Sequence, residues 1–175
     1  KNYLFGHGSF RNEETSILLP SNRNFSYYGG DVSAILTEMI PSLKGDVLNY
    51  AKFRGGIAKV GNVNIAGPYA INGLSYGAYA LDPYFNLATG FPFGSRTSFS
   101  LSNTTPSSNL KPEFTTSYEA GLDLGFLKDR INLNFTIYHN QTTDQTVTAG
   151  VSNATGFRGY LTNAGEVSNN GYEVE

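Results

Sequence analysis

Residues 118–138 read YEAGLDLGFLKDRINLNFTIY, and apolar residues alternate with polar or very small ones on both sides of the short stretch 127–130. Because successive side chains of a strand point to opposite sides, this alternation predicts a hairpin with one apolar and one polar face. Each arm is long enough to cross a bilayer on a tilted strand, which takes about 9 to 11 residues, whereas strands of soluble domains commonly have about 5 to 6. The apolar face would carry Tyr118, Ala120, Leu122, Leu124, Phe126, Ile131, Leu133, Phe135 and Ile137. The polar face would carry Glu119, Gly121, Asp123, Gly125, Asn132, Asn134 and Thr136.

The composition of the chain is polar without being highly charged. Charged residues make up 15% of the 175 residues, against roughly 25% in an average soluble domain, so the polarity comes mainly from Asn, Ser, Thr, Gly and Tyr. Neutral polar side chains of this kind suit a water-filled lumen. No apolar run approaches the ~18 residues that a membrane helix needs. The formal net charge of −2 gives no electrostatic reason to expect a nucleic-acid partner.

Alternating segments along the rest of the chain predict six strands in three hairpins. The strands are expected at about residues 2–11, 25–38, 48–60, 118–126, 131–147 and 163–175. The connections at 41–46 and 127–130 are short, and those through 20–23, 61–110 and 148–162 are longer. Short turns at one end and long loops at the other are typical of outer-membrane barrels. We therefore predict an all-β fold, a segment of an antiparallel transmembrane β-barrel, with a long extracellular loop at about residues 61–110.

Two cations set the register of the third strand. Turning Lys52 and Arg54 toward lipid would cost roughly 2 to 4 kcal/mol each at the bilayer midplane, so both are expected to face the lumen, paired with a carboxylate. The candidate partners are Asp31, Glu38 and Asp123. On the second strand, the alternation places Val32, Ala34 and Leu36 outward and Ser33 and Thr37 inward. The predicted lumen-facing residues are Lys52, Arg54, Glu119, Asp123, Asn132 and Asn134. The predicted lipid-facing residues are Phe53, Ile57, Leu122, Leu124, Phe126, Leu133, Phe135 and Ile137.

No catalytic or metal-binding pattern stands out in the sequence. Glu119 and Asp123 would lie roughly 13 Å apart along one strand, beyond the separations that glycosidases use. His7 and His139 are far apart and lack carboxylates or cysteines at ligand spacing. No nucleophile motif or phosphate-binding loop is present. We expect no enzyme activity, no metal and no cofactor.

The long loop is rich in aromatic residues set among Gly, Asn and Pro. Aromatic faces and amide side chains together bind sugars and peptides in wet sites, which makes these residues candidate substrate contacts. Alternatively, they pack the loop against its neighbours or plug the barrel mouth. The candidates are Tyr69, Tyr76, Tyr79, Tyr84, Phe85, Phe91 and Phe93.

Several segments of the chain share the order and near spacing of one known signature. It begins with Leu110-Lys111-Pro112-Glu113 followed by Thr115-Thr116-Ser117-Tyr118-Glu119-Ala120-Gly121-Leu122-Asp123. It continues in Asp129-Arg130-Ile131-Asn132-Leu133 and Tyr138, in Asn163-Ala164-Gly165-Glu166-Val167 with Asn170-Gly171, and in Lys52-Phe53-Arg54 with Val60-Gly61-Asn62. Together these segments resemble the SusC/RagA-type TonB-dependent outer-membrane transporters, whereas residues 1–40 resemble that family only in texture.

The resemblance implies a fold and a function. The segments would lie in the C-terminal half of a 22-stranded barrel, whose plug domain and TonB box lie upstream and outside this sequence. Six strands cannot close, because single-chain barrels need at least about eight, so the sequence is expected to be a section of a larger barrel. Such a barrel would import an oligosaccharide or oligopeptide across the outer membrane of a Bacteroidetes-type bacterium. Its partners would be a SusD-like surface lipoprotein, the TonB complex and the outer-membrane lipid.

Two alternatives from other classes remain open at this point. A passive porin would share every strand feature and would lack the plug and the TonB box. A soluble secreted β-sandwich, such as a carbohydrate-binding module, would bury Leu122, Leu133 and Phe135 in a dry core instead of exposing them to lipid.

Overall fold

The structure, a computed structural model, describes residues 3–63, 65, 69–71, 74–76, 81, 85–87 and 97–175. Six long strands form one antiparallel sheet in this part of the chain. In chain order the elements are β1 (Leu4–Glu14), β2 (Asn24–Ile35), α1 (Leu36–Met39), β3 (Leu48–Asn62), β4 (Tyr69–Ile71), β5 (Leu74–Tyr76), β6 (Phe85–Leu87), β7 (Phe99–Leu101), β8 (Thr104–Pro106), β9 (Glu113–Phe126), β10 (Ile131–Gly150) and β11 (Gly159–Val174). Short 3-10 turns occur at Pro41–Leu43 and Asn153–Thr155.

The order of strands in the main sheet is β1-β2-β3-β9-β10-β11-β8. Neighbouring long strands are antiparallel, and β8 adds a short parallel pairing to the start of β11. The pairs β4-β5 and β6-β7 form two separate hairpins. The predicted antiparallel barrel segment of six long strands is therefore confirmed, with the barrel open in this chain.

The two ends of the sheet differ in their connections. At one end, here called the loop end, residues 15–23, 63–112 and 151–158 connect the strands. At the other, the turn end, residues 36–47 and 127–130 do so. The tight turn 127–130 takes three left-handed residues, with φ of 54°, 61° and 61° at Leu127, Lys128 and Asp129, and Arg130 N donates to Phe126 O at 3.0 Å. The predicted arrangement of short turns and long loops is confirmed.

The second strand ends earlier than the sequence predicts. Residues Leu36–Met39 form a helical turn, so placing Leu36 outward and Thr37 inward on a strand is wrong. Thr37 is instead buried, and its hydroxyl accepts a hydrogen bond from Ala51 N at 3.4 Å. Pro41 then opens a 3-10 turn, since a residue without an N–H cannot continue a strand ladder.

The loop-end connections also depart from the predicted boundaries. The first strand is shifted toward the loop end, at Leu4–Glu14. The long connection begins after Asn62, and its described residues include five strands of three residues each, which are too short to show a period in the sequence. The connection before β11 covers residues 151–158 and is shorter than the predicted 148–162, because β10 continues to Gly150.

The described residues form a single layer with little interior. The buried cluster Leu18, Ile65 and Leu110 lies at the loop end. At the centre of the sheet, Leu122, Leu133 and Phe135 keep 36%, 37% and 38% of their surface exposed. This exposure disagrees with the soluble sandwich, whose core would bury these three side chains. None of the described helices has the length and apolar character needed to cross a bilayer.

Candidate functional site

The register places the predicted lumen-facing charges on one face of the sheet. Paired residues of antiparallel strands share a face. Lys52, Asp123 and Asn134 form one row across β3, β9 and β10. The next row consists of Ser33, Arg54, Gly121, Thr136 and Glu173. The third consists of Asp31, Gly56, Glu119, Tyr138 and Gly171.

Arg54 is the centre of a polar cluster that ties three strands together. Its Nη1 lies 3.1 Å from Glu119 Oε1 and its Nε lies 3.4 Å from Asp123 Oδ1, both on β9. Its Nη2 donates to Thr136 Oγ1 on β10 at 2.6 Å. Because the guanidinium nitrogens point in fixed, divergent directions, Nη1 and Nη2 donate hydrogen bonds to Glu119 and Thr136, while Nε and Asp123 form an ion pair without a hydrogen bond. We call Arg54, Glu119, Asp123 and Thr136 the Arg54 cluster.

Gly121 makes room for this arrangement. It lies between Glu119 and Asp123 on β9 and directly opposite Arg54. A Cβ at this position would lie 2.7 Å from Arg54 Nε and 3.1 Å from Arg54 Cζ. The missing side chain therefore leaves space for the Arg54 side chain beside Gly121, within ion-pair distance of both carboxylates.

Two open depressions flank the Arg54 cluster. One of about 270 Å³ is formed by Lys52, Arg54, Asp123, Asn134, Thr136, Glu173 and Glu175. The other, of about 330 Å³, is formed by Asp31, Val32, Ser33, Lys52, Arg54, Gly55, Gly56 and Glu119. All seven residues of the first depression are charged or polar, whereas the second combines charged side chains with Val32, Gly55 and Gly56. The first therefore suits water or a polar ligand, and the second offers polar and apolar surface side by side.

The expected carboxylate partners are only partly correct. Asp123 contacts Arg54 as predicted, and Glu119, which was not among the expected partners, is the second carboxylate. Asp31 instead lies 3.1 Å from His7 Nδ1 on β1, and Glu38 lies 3.5 Å from Lys44 Nζ at the turn end. Within the described part of the chain, no carboxylate lies within ion-pair distance of Lys52. Asn132, the remaining residue of the predicted lumen set, lies opposite Gly125 near the turn end.

The opposite face carries the residues predicted to contact lipid. The register aligns Phe53, Leu122 and Phe135 in one row and Ala51, Leu124 and Leu133 in the next toward the turn end. Phe53, Leu122, Leu133, Phe135 and Ile137 are exposed, while Ile57, Leu124 and Phe126 are half-buried by their neighbours in the sheet. The wall therefore has an apolar exposed face opposite the Arg54 cluster.

The aromatic residues of the long loop are only partly within the described chain. Tyr69 and Tyr76 pair across the β4-β5 hairpin. Phe85 pairs with Leu101 across β6-β7 and is 69% exposed. Tyr79, Tyr84, Phe91 and Phe93 lie outside the described residues. Their candidate role in substrate contact stays a prediction.

Sequence reasoning places the residues that complete the cluster on the polar face but does not predict which of them contact Arg54. Gly121 and Thr136 fall on the polar face by alternation, but their contacts with Arg54 depend on the pairing of β3 with β9, which lie far apart in sequence. Glu173 joins the same row only through the pairing of β10 with β11. The sequence hints at the role of Thr136 only by placing its hydroxyl on the same strand face as the amides of Asn132 and Asn134.

The comparisons with known proteins are specific at the level of the fold and the family. Residues 21–175 match a family model described as TonB dependent receptor-like, beta-barrel. A search of the curated proteins found no match.

Among solved structures, the RagAB peptide importer in its "closed-closed" state matches 99% of this chain with a TM-score of 0.75 and 20% identity, over 18% of that chain. The same importer in its "open-open" state matches 99% of this chain with a TM-score of 0.76 and 17% identity, over 17% of that chain. The siderophore receptor PirA from Pseudomonas aeruginosa matches 99% with a TM-score of 0.54 and 15% identity, over 28% of that chain. The chain thus spans less than a third of the length of each of these structures.

Proposed function

Since the chain belongs to the TonB-dependent receptor-like β-barrel family, whose members lie in the outer membrane, we propose that it forms part of the wall and the extracellular loops of a nutrient importer. Family membership and the shared fold confirm the predicted TonB-dependent barrel segment, and the likeness to the RagAB importer supports the SusC/RagA type. The import activity, its substrate and its partners belong to the proposal.

The two faces of the sheet carry the proposal. The exposed apolar face meets acyl chains, and the face with the Arg54 cluster borders an aqueous passage. An isolated Arg facing lipid at midplane would cost roughly 2 to 4 kcal/mol, whereas Arg54 has two carboxylates and a hydroxyl within reach on its own face. The lumen side is therefore the side of Lys52, Arg54, Glu119, Asp123, Asn132 and Asn134.

The proposed substrate is an oligopeptide, with an oligosaccharide as the second candidate. The fold likeness to the RagAB peptide importer favours a peptide. The depressions beside the Arg54 cluster carry both charge signs, which suits the amide groups and mixed charges of a peptide. A SusD-like lipoprotein would cover the extracellular mouth, and TonB would act through a plug domain.

Uptake by whole cells tests this function. A strain deleted for the gene and a strain complemented with the complete protein are compared for uptake of a labelled oligopeptide and a labelled oligosaccharide, with and without a protonophore. We expect peptide uptake that requires both the gene and the proton gradient, because TonB transmits that gradient.

Each other outcome has a defined meaning. Uptake that requires the gene but is unchanged by the protonophore would indicate a passive porin and contradict the proposal. If only the oligosaccharide is taken up, and its uptake requires the proton gradient, the proposed import function stands but the proposed peptide substrate is wrong. No gene-dependent uptake of either probe would contradict import of these substrate classes.

A further inference from the structure

The chain that returns from the long connection to β9 is fastened to the loop end of the sheet. We call residues 103–113 the return strap. Asn103 O accepts hydrogen bonds from Arg158 N at 2.8 Å and Gly159 N at 3.1 Å. Strand β8 then pairs with Gly159–Leu161, and Ser107 N donates to Leu161 O at 2.8 Å. The first half of the strap thus follows the start of β11.

The side chain of Asn163 holds the second half of the strap. Its Oδ1 accepts from Lys111 N at 2.8 Å, and its Nδ2 donates to Lys111 O at 2.9 Å. The same Nδ2 lies 2.7 Å from Asp144 O, on a residue of β10 with a left-handed φ of 56°. One amide therefore satisfies the backbone of the strap and of an irregular point in β10.

Glu113 completes the attachment at the same irregular point. The register of β10 against β11 shifts between Thr142 and Thr146, and the pairing of β9 with β10 ends at Thr143. The backbone N–H of Thr146 donates to Glu113 Oε1 at 2.8 Å. The carboxylate thereby takes the place of a ladder partner at the bulge.

Leu110, in the same part of the strap, adds an apolar contact with two other connections of the loop end. Leu110 is fully buried in a cluster with Leu18, from the connection 15–23, and Ile65, from the start of the long connection. Asn22 Nδ2 donates to Leu110 O at 2.9 Å. The strap, the start of the long connection and the connection 15–23 are therefore joined at one place.

We propose that Asn163 and Glu113 are positioning residues that lock the return strap and so fix the place where the chain re-enters the sheet at the loop end. Both lie in segments that carry the family resemblance, and neither takes part in the Arg54 cluster. The strap also forms one wall of an open cleft of about 310 Å³, with Leu19 and Phe157 from the two neighbouring connections. Releasing the strap would change the shape of this cleft.

Hydrogen exchange of the complete protein in nanodiscs, without ligand, tests the lock. Asn163→Asp keeps the shape of the side chain but cannot donate to Lys111 O and Asp144 O, and it places a negative charge against both carbonyls. We expect the amides of residues 103–111 to exchange at least about tenfold faster in this variant. The amides of residues 115–126 and 131–142 should be unchanged.

Matched variants separate the lock from general effects of substitution. Asn169→Asp makes the same change on the same strand, where the described structure shows no side-chain hydrogen bond for Asn169, and should exchange like the wild type. Glu113→Ala should release the strap, whereas Glu113→Gln keeps an acceptor for Thr146 N and should restore protection.

The proposal is overturned by faster exchange at the Lys111 amide alone, by no change in Asn163→Asp and Glu113→Ala, or by equal effects in Asn169→Asp. If Asn163→Asp fails to fold, the contrast between Glu113→Ala and Glu113→Gln decides the question. Because no substrate is present, a failure of the import proposal would leave this result standing.

Discussion

At the scale of single residues, a glycine determines whether Arg54 can bridge two carboxylates. The ion pairs themselves are partly exposed, with 37% of the Arg54 side chain accessible, and exposed pairs contribute little individually. The role of Arg54 in positioning the strands therefore follows from its geometry and not from the strength of either ion pair. Arg54 spans β9 and reaches β10, so it fixes the relative position of three strands.

Replacing Gly121 by Ala should destabilise the barrel. In an open strand position, Gly→Ala is expected to stabilise by about 0.4 to 1 kcal/mol through the unfolded state. At Gly121 the new Cβ would lie 2.7 Å from Arg54 Nε, so the Arg54 side chain must shift and its contacts with Glu119 and Asp123 should weaken. We expect a net loss of about 1 kcal/mol in denaturant unfolding. Gly8→Ala is the control, because nothing lies within 4 Å of its Cβ, and equal effects at both sites would contradict this account.

Two loop tyrosines give a second prediction at this scale. If the aromatic residues of the long loop contact substrate, replacing Tyr79 and Tyr84 by Ala in the complete protein should weaken substrate binding without unfolding the barrel. Calorimetry with the substrate found in the uptake experiment measures the affinity. An unchanged affinity would show that these two side chains do not contact the ligand.

At the scale of strands and turns, the sequence predicts what depends on alternation and misses what depends on partners. The hairpin of β9 and β10 and the placement of Lys52 and Arg54 on one face follow from a period of two. The helical turn after Ile35 does not, because Leu36, Thr37 and Glu38 continue the same alternation. The turn is closed by the Ile40 N to Leu36 O hydrogen bond and carries the contact of Thr37 with Ala51 of the next strand, and neither leaves a mark on the alternation.

The attachment of the return strap could not be predicted for a related reason. Asn163 lies 52 residues from Lys111, and a polar residue in a strand gives no indication of the backbone that it will bind. The left-handed residue Asp144 likewise has no decisive local signature, because Asp adopts the left-handed region more readily than most residues but at only a few of its positions. Long-range pairing decides both features.

Charge placed on either face of β10 tests which face meets lipid. Phe135→Lys puts an ammonium on the exposed apolar face, where the cost near the midplane is about 2 to 4 kcal/mol. Asn134→Lys puts the same group on the opposite face, beside Asp123. We expect the first variant to lower the heat-modifiable, folded fraction in outer membranes and the second to leave it close to wild type. Equal folded fractions would contradict the assignment of faces.

At the scale of the whole molecule, the sheet is a wall with two open edges. The outer edge of β1 is unpaired in the described structure, and β11 has a neighbour on its outer side only at Gly159–Leu161, where β8 pairs with it. An open edge within hydrocarbon leaves backbone groups without partners, so further strands must cover both edges in the membrane. The position of β8 limits the strand beside β11 to the part of β11 beyond Leu161.

The orientation of this wall in the outer membrane gives the last prediction. The loop end should face the medium and the turn end the periplasm, as the long and short connections of outer-membrane barrels do. The sequence contains no cysteine, so each single substitution introduces one thiol at a known position of this segment. Asn153→Cys, on an exposed loop-end turn, should react with a polymer-linked maleimide too large for porins when it is added to intact cells.

Lys128→Cys is the matched position, exposed in the turn 127–130. It should react only after the outer membrane has been permeabilised, because the bilayer then no longer separates it from the reagent. The complete protein without either substitution measures any background from cysteines elsewhere in the polypeptide. Labelling of Lys128→Cys but not Asn153→Cys on intact cells would invert the orientation, and it would place the Arg54 cluster and the return strap in a barrel that opens the other way.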